Sequence, residues 1–316
     1  MGRVLLVTTA NDLAADLIVM RLRRRGISFL RFNQENFPER IAMMWPGDER
    51  PGAFSVGGEL AASSDFCSAW FRYPAVPPLG DQAGRRAAEF ASREANGFLE
   101  GFWEVAPWFW MNRPSAAALA GRKLSQLAQA RAIGLAIPET LITNCPKAAR
   151  EFVRGHDRVA KAVVSGGFVD GDRQFAIYTT PIGSDGLDDE RVHAAPVIFQ
   201  QRIENAFDVR VTVVGTQVFA TRIAIRDRAG EVDWRSIDPS RLAYDRYRLP
   251  PTLEADCISL VRAFSLSFAA LDFIVTPRGE YVFLELNPSG QWGWLEEATQ
   301  TPITDAIIDR LVEGAP

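Results

Sequence analysis

Histidine, lysine and cysteine are all scarce in this chain of 316 residues. His156 and His193 are the only histidines, and both stand in polar, loop-like surroundings. That leaves little for a Ser-His-Asp or Cys-His enzyme, in which an imidazole must reach the nucleophile. Cys67, Cys145 and Cys257 are odd in number, far apart and in no CxxC spacing, so neither a disulfide framework nor a zinc site is suggested. Uncharged apolar runs fall short of the ~18 residues that span a bilayer, so no membrane partner is expected. The N-terminal apolar stretch Val4 to Val7 is too short for a signal peptide, and Asp12 and Asp16 follow it closely, which reads as a cytoplasmic chain. Sequence motifs of the GxGxxG, GxxxxGK[ST] and GxSxG types are missing as well. With 35 basic against 39 acidic residues the formal charge is −4, which argues against a nucleic-acid binder that relies on bulk charge.

The lysine shortage is informative in itself. Of the 35 basic residues only Lys123, Lys147 and Lys161 are lysine. A composition bias that turns exchangeable lysines into arginines leaves lysine where a compact ammonium must meet a phosphate as a point charge. A lysine that persists on the surface by chance is the alternative for each.

What is present reads as α/β. Val4 to Thr8 is a buried-type strand, Asn11 and Asp12 cap a helix to Arg25, and Ser28 to Phe32 is a second strand. Residues 40–63 read as β-ribbon or loop, 69–73 as a strand, about 82–104 as a long helix and 108–112 as a strand. After Arg113-Pro114-Ser115, which marks a boundary, the pattern predicts one helix over 116–132, an extended 138–143 and a short helix 146–154. A strand follows over 158–164, then a glycine-bearing loop at 165–171 and an extended 174–179. A polar segment, 183–194, leads to strands at 196–203, 208–214 and 217–226. The chain closes with a helix over 252–267, strands at 270–276 and 280–286, and a helix from about Thr304.

The sharpest local signal runs from Leu271 to Asn287. Two apolar runs flank Thr276-Pro277-Arg278-Gly279, which reads as a hairpin. A two-residue loop at Arg278-Gly279 puts Asp272 opposite Glu285, and Asn287 projects from the same face as Glu285. Opposed carboxylates destabilise a sheet unless something neutralises them. A hard divalent cation does so, and Mg2+ favours one or two carboxylates with phosphate oxygens and water. A solvent-exposed hairpin face with scattered polar residues is the alternative. The Pro288-Ser289-Gly290-Gln291-Trp292 turn that follows gives a substrate close access to backbone.

These segments together resemble the ATP-grasp superfamily, and within it the microviridin-type ligases that close rings in graspetide precursor peptides. The resemblance covers nearly the whole chain. Its most specific stretches are Trp110 to Pro114, Arg122 to Leu127, Ile137 to Asn144, and Leu284 to Thr299. It implies an ATP-grasp fold with an N-terminal Rossmann-like pre-ATP-grasp unit over 1–112, a central subdomain over 113–195 and a C-terminal, metal-bearing subdomain over 196–316. It also implies ATP and Mg2+ as cofactors, with Asp272, Glu285 and Asn287 as the metal ligands. Lys123 and Lys161 match the two phosphate-binding lysines, while Lys147 has no assigned role. Gln200, Gln201, Arg202 and Ile203 match the segment that holds adenine, and Asp208 and Arg210 the motif after it. Arg222 and Arg235 match positions that face the phosphates and the acyl acceptor; Arg222 shares a strand face with the small residues Ala220 and Ala224. Gln201-Arg202 departs from the acidic or apolar pair found more often in relatives, so adenine contact there falls to the backbone. The loop 165–173 is shorter than the glycine-rich lid of some ATP-grasp enzymes.

The implied substrate is a ribosomal precursor peptide, leader plus core, whose Asp or Glu side chains become acyl phosphates and then esters or amides. No nucleic-acid partner is implied, and a homodimer is common in such enzymes. Two other readings stay open on sequence: an intermolecular ligase of the glutamate-adding or glutathione-forming sort, and a regulatory protein that holds ATP without ligation.

Overall fold

The computed structural model describes residues 2–72, 74, 84–164, 167–170, 173–226 and 233–314, without the side chains of 85, 168–170 and 173–176. Pro77, Pro78, the expected first turn of the long helix at 82–83, and Ser165, Gly166 and Gly171 of the glycine-bearing loop lie outside the described residues.

The N-terminal third runs β1 (Arg3–Thr8), α1 (Leu13–Arg24), β2 (Phe29–Asn33), β3 (Ile41–Met44), β4 (Ala53–Val56), β5 (Glu59–Ala62), β6 (Phe66–Phe71), α2 (Arg85–Val105) and β7 (Phe109–Met111). Four strands form a parallel sheet in the order β2-β1-β6-β7, and β3-β4-β5 make a separate meander. The near-continuous apolar run of β1 suits a strand covered on both faces. One face packs aromatic residues of α2, Phe102 and Trp103 among them. The other packs Ile18 and Leu22 of α1. Asp12 starts α1 by accepting from the amides of Ala14 and Ala15.

The middle of the chain holds α3 (Pro114–Ala120), α4 (Lys123–Ala132), β8 (Thr140–Thr143), α5 (Pro146–Val153), β9 (Arg158–Ala162), β10 (Gly167–Asp170), β11 (Arg173–Ala176), β12 (Thr180–Ile182), α6 (Asp189–Ala194) and β13 (Val197–Gln201). The single helix expected over 116–132 is two. Gly121 closes α3, Arg122 is extended, and α4 restarts with Lys123 as its first residue. The glycine-bearing loop is in part a small hairpin, β10 against β11. A four-stranded sheet, β12-β9-β13-β8, is backed by α5 and α6 through Ala149, Val153, Val192 and Phe199.

The rest comprises β14 (Phe207–Val214), β15 (Gln217–Ile225), β16 (Leu242–Tyr247), α7 (Pro251–Ala263), β17 (Phe268–Val275), β18 (Tyr281–Asn287), α8 (Gly293–Thr299) and α9 (Ile303–Glu313). The antiparallel sheet β16-β15-β14-β17-β18 puts one apolar face, with Val209, Val211, Leu271 and Phe273, against α4 and α7. Its other face carries Asp208, Arg210, Asp272 and Glu285. The terminal helix α9 packs Ile303, Ile307 and Leu311 into the same core as α1, Trp70 and Phe268, so it joins the parallel and antiparallel layers.

The hairpin register differs in detail from the two-residue turn expected. The connection spans residues 276–280, closed by Gly279 donating to Thr276 O and Thr276 to Glu280 O. That longer loop alone would face Asp272 with Leu284. A bulge between Asp272 and Phe273 restores the Asp272–Glu285 pair, while Phe273 meets Phe283. Bulges re-aim side chains in this way.

Candidate active site

A cavity of about 850 Å3 lies between the four-stranded sheet and the polar face of the antiparallel sheet. Lys161 reaches it from β9, Lys123 from the first turn of α4, and Asp272 and Glu285 from the hairpin. Lys123 Nζ donates to Ala162 O at 3.0 Å and stands 4.0 Å from Glu285 Oε2. Arg235 Nη1 donates to Glu285 Oε1 at 2.7 Å, and its Nε to Asp233 Oδ1 at 2.9 Å. Three cations therefore surround Glu285.

The protonation balance shows what the cavity suits. Burial pulls the Lys161 ammonium down to about 8, against a smaller upward pull from Glu285. Burial also pushes the Glu285 carboxyl upward, but Arg235, Lys123 and Lys161 outweigh it and hold the carboxyl below its ordinary value. At Asp272 burial prevails: its carboxyl is raised despite Arg210, and Glu285 adds to the rise. Arg235 is raised, because Glu285 and Asp233 more than offset its burial. A lysine so short of counter-charge favours an anion beside it, and a triphosphate supplies one.

The sheet register explains how the other expected residues fall. Arg210 is opposite Asp272, which is opposite Glu285. Arg210 Nη1 donates to both Asp272 oxygens, at 2.8 and 2.9 Å, from behind the cavity wall. Arg222 faces Val209 across β14 and β15, so strand alternation sets it on the opposite side of the sheet from Asp208 and Arg210. Its guanidinium lies over the Phe207 ring and 3.8 Å from Asp245, and it does not line the cavity; the expectation that it faces phosphates is corrected. The run from Gln200 to Ile203 and Asp208 all line the cavity, with Pro138, Val159 and Leu284 forming an apolar end. Gln200 Nε2 gives one of its two hydrogens to Thr140 Oγ1 at 2.9 Å.

Asn287 sits at the end of the same strand face, opposite Ala270, and its Oδ1 accepts from the Ser289 amide at 2.9 Å. Asp272, Glu285 and Asn287 offer only oxygen donors, the type a hard cation takes. In this structure arginines neutralise both carboxylates. The donor chemistry fits Mg2+, and the lysine-rich wall fits a nucleotide's phosphates.

Sequence reasoning missed the residues that hold this strand end in place. Gln126 of α4 bonds both backbone groups of Leu286, donating to its carbonyl at 2.7 Å and accepting from its amide at 3.0 Å. Asn112 Nδ2 donates to Pro288 O at 2.7 Å. Arg72, 1% exposed, donates to Ser289 O at 3.0 Å, forms a 2.9 Å ion pair with Asp12 and lies over Trp292. Backbone carbonyls with no strand partner would otherwise be buried unpaired, which is costly. A polar residue just after a strand, at 72 and at 112, was the available signal.

Residues 187–311 match the RimK-like ATP-grasp domain family. No curated protein sequence matches the chain. Among solved structures it is similar to the macrocyclase MdnC bound with precursor peptide MdnA, from Microcystis aeruginosa, with a TM-score of 0.86, 28% identity and coverage of 98% of this chain and 99% of that one. It is similar also to a Chryseobacterium gregarium RiPP-associated ATP-grasp ligase in complex with ADP and a leader and core peptide, with a TM-score of 0.90, 26% identity and coverage of 100% and 98%. The macrocyclase MdnB of Microcystis aeruginosa aligns with a TM-score of 0.82, 29% identity and 99% of each chain. The chain has the ATP-grasp fold.

Proposed function

We propose that the protein is an ADP-forming ligase that activates Asp or Glu side chains of a ribosomally made precursor peptide and closes ester or amide rings within it. The observation that carries this reading is the gathering of Lys123, Lys161 and Arg235 around Glu285, in a cavity whose other end is apolar. Likeness over the whole chain to ligases described with precursor peptides supports the substrate class.

A carboxylate is a poor electrophile at neutral pH. In this reading an oxygen of the peptide acid attacks the terminal phosphorus of ATP, the bond to ADP breaks, and an acyl phosphate results. A hydroxyl or amine of the same peptide then attacks the acyl carbon. Inorganic phosphate leaves, and the nucleophile's proton passes to it or to water. Lys123 and Lys161 hold the phosphates as point charges, and Arg235 steadies the charge that spreads during transfer. Asp233 fixes the Arg235 fork through its 2.9 Å bond. Arg210 orients Asp272. Backbone from Gln201 to Ile203 and the apolar end near Leu284 receive adenine. Asp272, Glu285 and Asn287 would hold Mg2+, which would supply neutralisation of phosphate charge. A folded peptide supplies proximity for ring closure, and no histidine takes part.

The chain divides in this account into a pre-ATP-grasp unit (1–112), a central subdomain (113–195) and a C-terminal subdomain (196–316), acting in the cytoplasm on precursor peptides, with a homodimer as the assembly. The test is mass spectrometry of a precursor peptide incubated with the protein, ATP and Mg2+. Each ring removes one water from the peptide and yields one ADP. Peptide that gains a phosphate and never loses water would make the protein a kinase.

A further inference from the structure

A second cavity, of about 580 Å3, opens on the other side of the Lys123–Glu285 wall. It shares Lys123, Val164 and Glu285 with the nucleotide-side cavity. Its inner end is the strand terminus from Glu285 to Ser289. Its remaining walls are mainly apolar: Phe71 and Pro74 after β6, Leu99 and Trp103 of α2, and Pro114 and Ala117 of α3.

Two features of the fold make this a built pocket. The chain leaves β1 for α1 on one face of the parallel sheet and β6 for α2 on the other, so the crevice beyond the carboxyl ends of β1 and β6 is a topological switch point. Open α/β sheets bind ligands there. The pocket is also backed by packed core, since Leu99 and Trp103 are each 1% exposed and Trp103 Nε1 donates to Gln34 Oε1 at 3.4 Å.

We propose that this cavity seats an uncharged, apolar residue of the substrate, aromatic or large aliphatic, next in sequence to the acid that is activated. The inference rests on the ligase reading above and names a determinant of its substrate. The volume exceeds one side chain and suits a side chain with its adjoining peptide backbone, within the usual range for a ligand pocket. The acid itself belongs at the shared wall, where Lys123 stands. Farther in, a second acid would meet Glu100 and Glu285, with only the neutral amides of Gln34, Asn96 and Gln126 beside them and no cation other than Lys123 among the described lining residues. Burying a carboxylate there without a counter-cation is costly, whereas an apolar side chain gains by leaving water. The pocket therefore selects for an apolar neighbour and against an acidic one.

The probe is the dipeptide N-acetyl-aspartyl-(4-fluorophenylalanine) amide, followed by fluorine NMR with the full chain, ATP and Mg2+. Saturable binding is expected, displaced by N-acetyl-Asp-Leu amide and not by N-acetyl-Asp-Asp amide. Ala117→Trp, which fills the pocket from α3, is expected to weaken the probe by about tenfold or more, and Ala117→Leu by less, as filling a side-chain pocket does. ATP affinity, measured by calorimetry, is expected to stay unchanged in both variants and so reports that they are folded. Absence of saturable probe binding overturns the inference, as does equal binding by Ala117→Trp or equal displacement by the two-acid dipeptide. If the wild type fails to bind ATP, the ligase reading fails instead, so the two failures are distinguishable.

Discussion

Lys161 is the residue whose charge is most exposed to test. Burial pulls its pKa down to about 8, and a triphosphate beside it raises it again. Below that pH the ammonium is protonated with or without nucleotide, and binding moves no proton. Above it, binding takes one up. ATP affinity is therefore expected to be level below about pH 8 and to weaken above it, approaching tenfold per unit. Calorimetry in buffers of differing ionisation enthalpy should show proton uptake only in the alkaline range; uptake that is flat with pH would contradict the assignment. Lys→Arg at 123 or 161 is expected to reduce turnover severely, because the planar fork does not replace a compact ammonium: Lys123 stands between Ala162 O and Glu285, and Lys161 lines the same cavity. Lys147→Arg, in the exposed first turn of α5, is expected to be silent in the same assay. Glu285→Gln leaves three cations without their shared carboxylate, so it should abolish ADP production while ATP binding persists. Turnover retained at saturating Mg2+ would remove Glu285 from the metal set.

At the scale of elements, the hairpin and its successor loop form the unit that matters. Opposition of Asp272 and Glu285 was legible in the alternation of Leu271 to Asn287, yet the expected turn was too short and the bulge that corrects it has no sequence mark. A strand residue's face follows from alternation alone, but which face meets the cavity depends on neighbouring strands, and that is why Arg222 was misplaced. The strand β16 was missed because its Leu242–Tyr247 run is half polar, as edge strands are. Helix α8 was missed because it opens on glycine directly after the 288–292 turn; a Cβ at Gly293 would lie 2.6 Å from Leu17 Cδ1, the tip of a half-buried side chain on α1. The same reasoning gives a prediction at Gly290, where a Cβ would sit 2.4 Å from Ala270 Cβ and 2.9 Å from Arg210 Nη2. Gly290→Ala is expected to cost about 1–3 kcal/mol by overpacking and to loosen Arg210 from Asp272. Thermal unfolding together with Mn2+ affinity by electron paramagnetic resonance would check both parts. Arg72→Met takes the counter-charge from buried Asp12 but leaves it the Thr8 hydroxyl and the amides of Ala14 and Ala15, so the cost is expected below the about 3–5 kcal/mol of a fully uncompensated buried charge; Arg72→Met combined with Asp12→Asn should recover part of the stability without restoring the Ser289 contact.

For the whole molecule, the N-terminal layer is part of the site through long-range contacts. Arg72 and Asn112 reach across the chain to hold the segment after Glu285, and the terminal helix α9 packs against both layers. Contacts between residues so distant in sequence leave no periodic signature, so the α/β layers and the ATP-grasp resemblance were legible while the clamp between them was not. The account turns on one chemical step, phosphoryl transfer to a peptide carboxylate. A precursor peptide with oxygen-18 in its acidic side chains tests it directly. The expected result is label in inorganic phosphate, with one phosphate and one ADP formed per water lost from the peptide. Release of AMP and pyrophosphate, with label appearing in AMP, would show adenylation and contradict it.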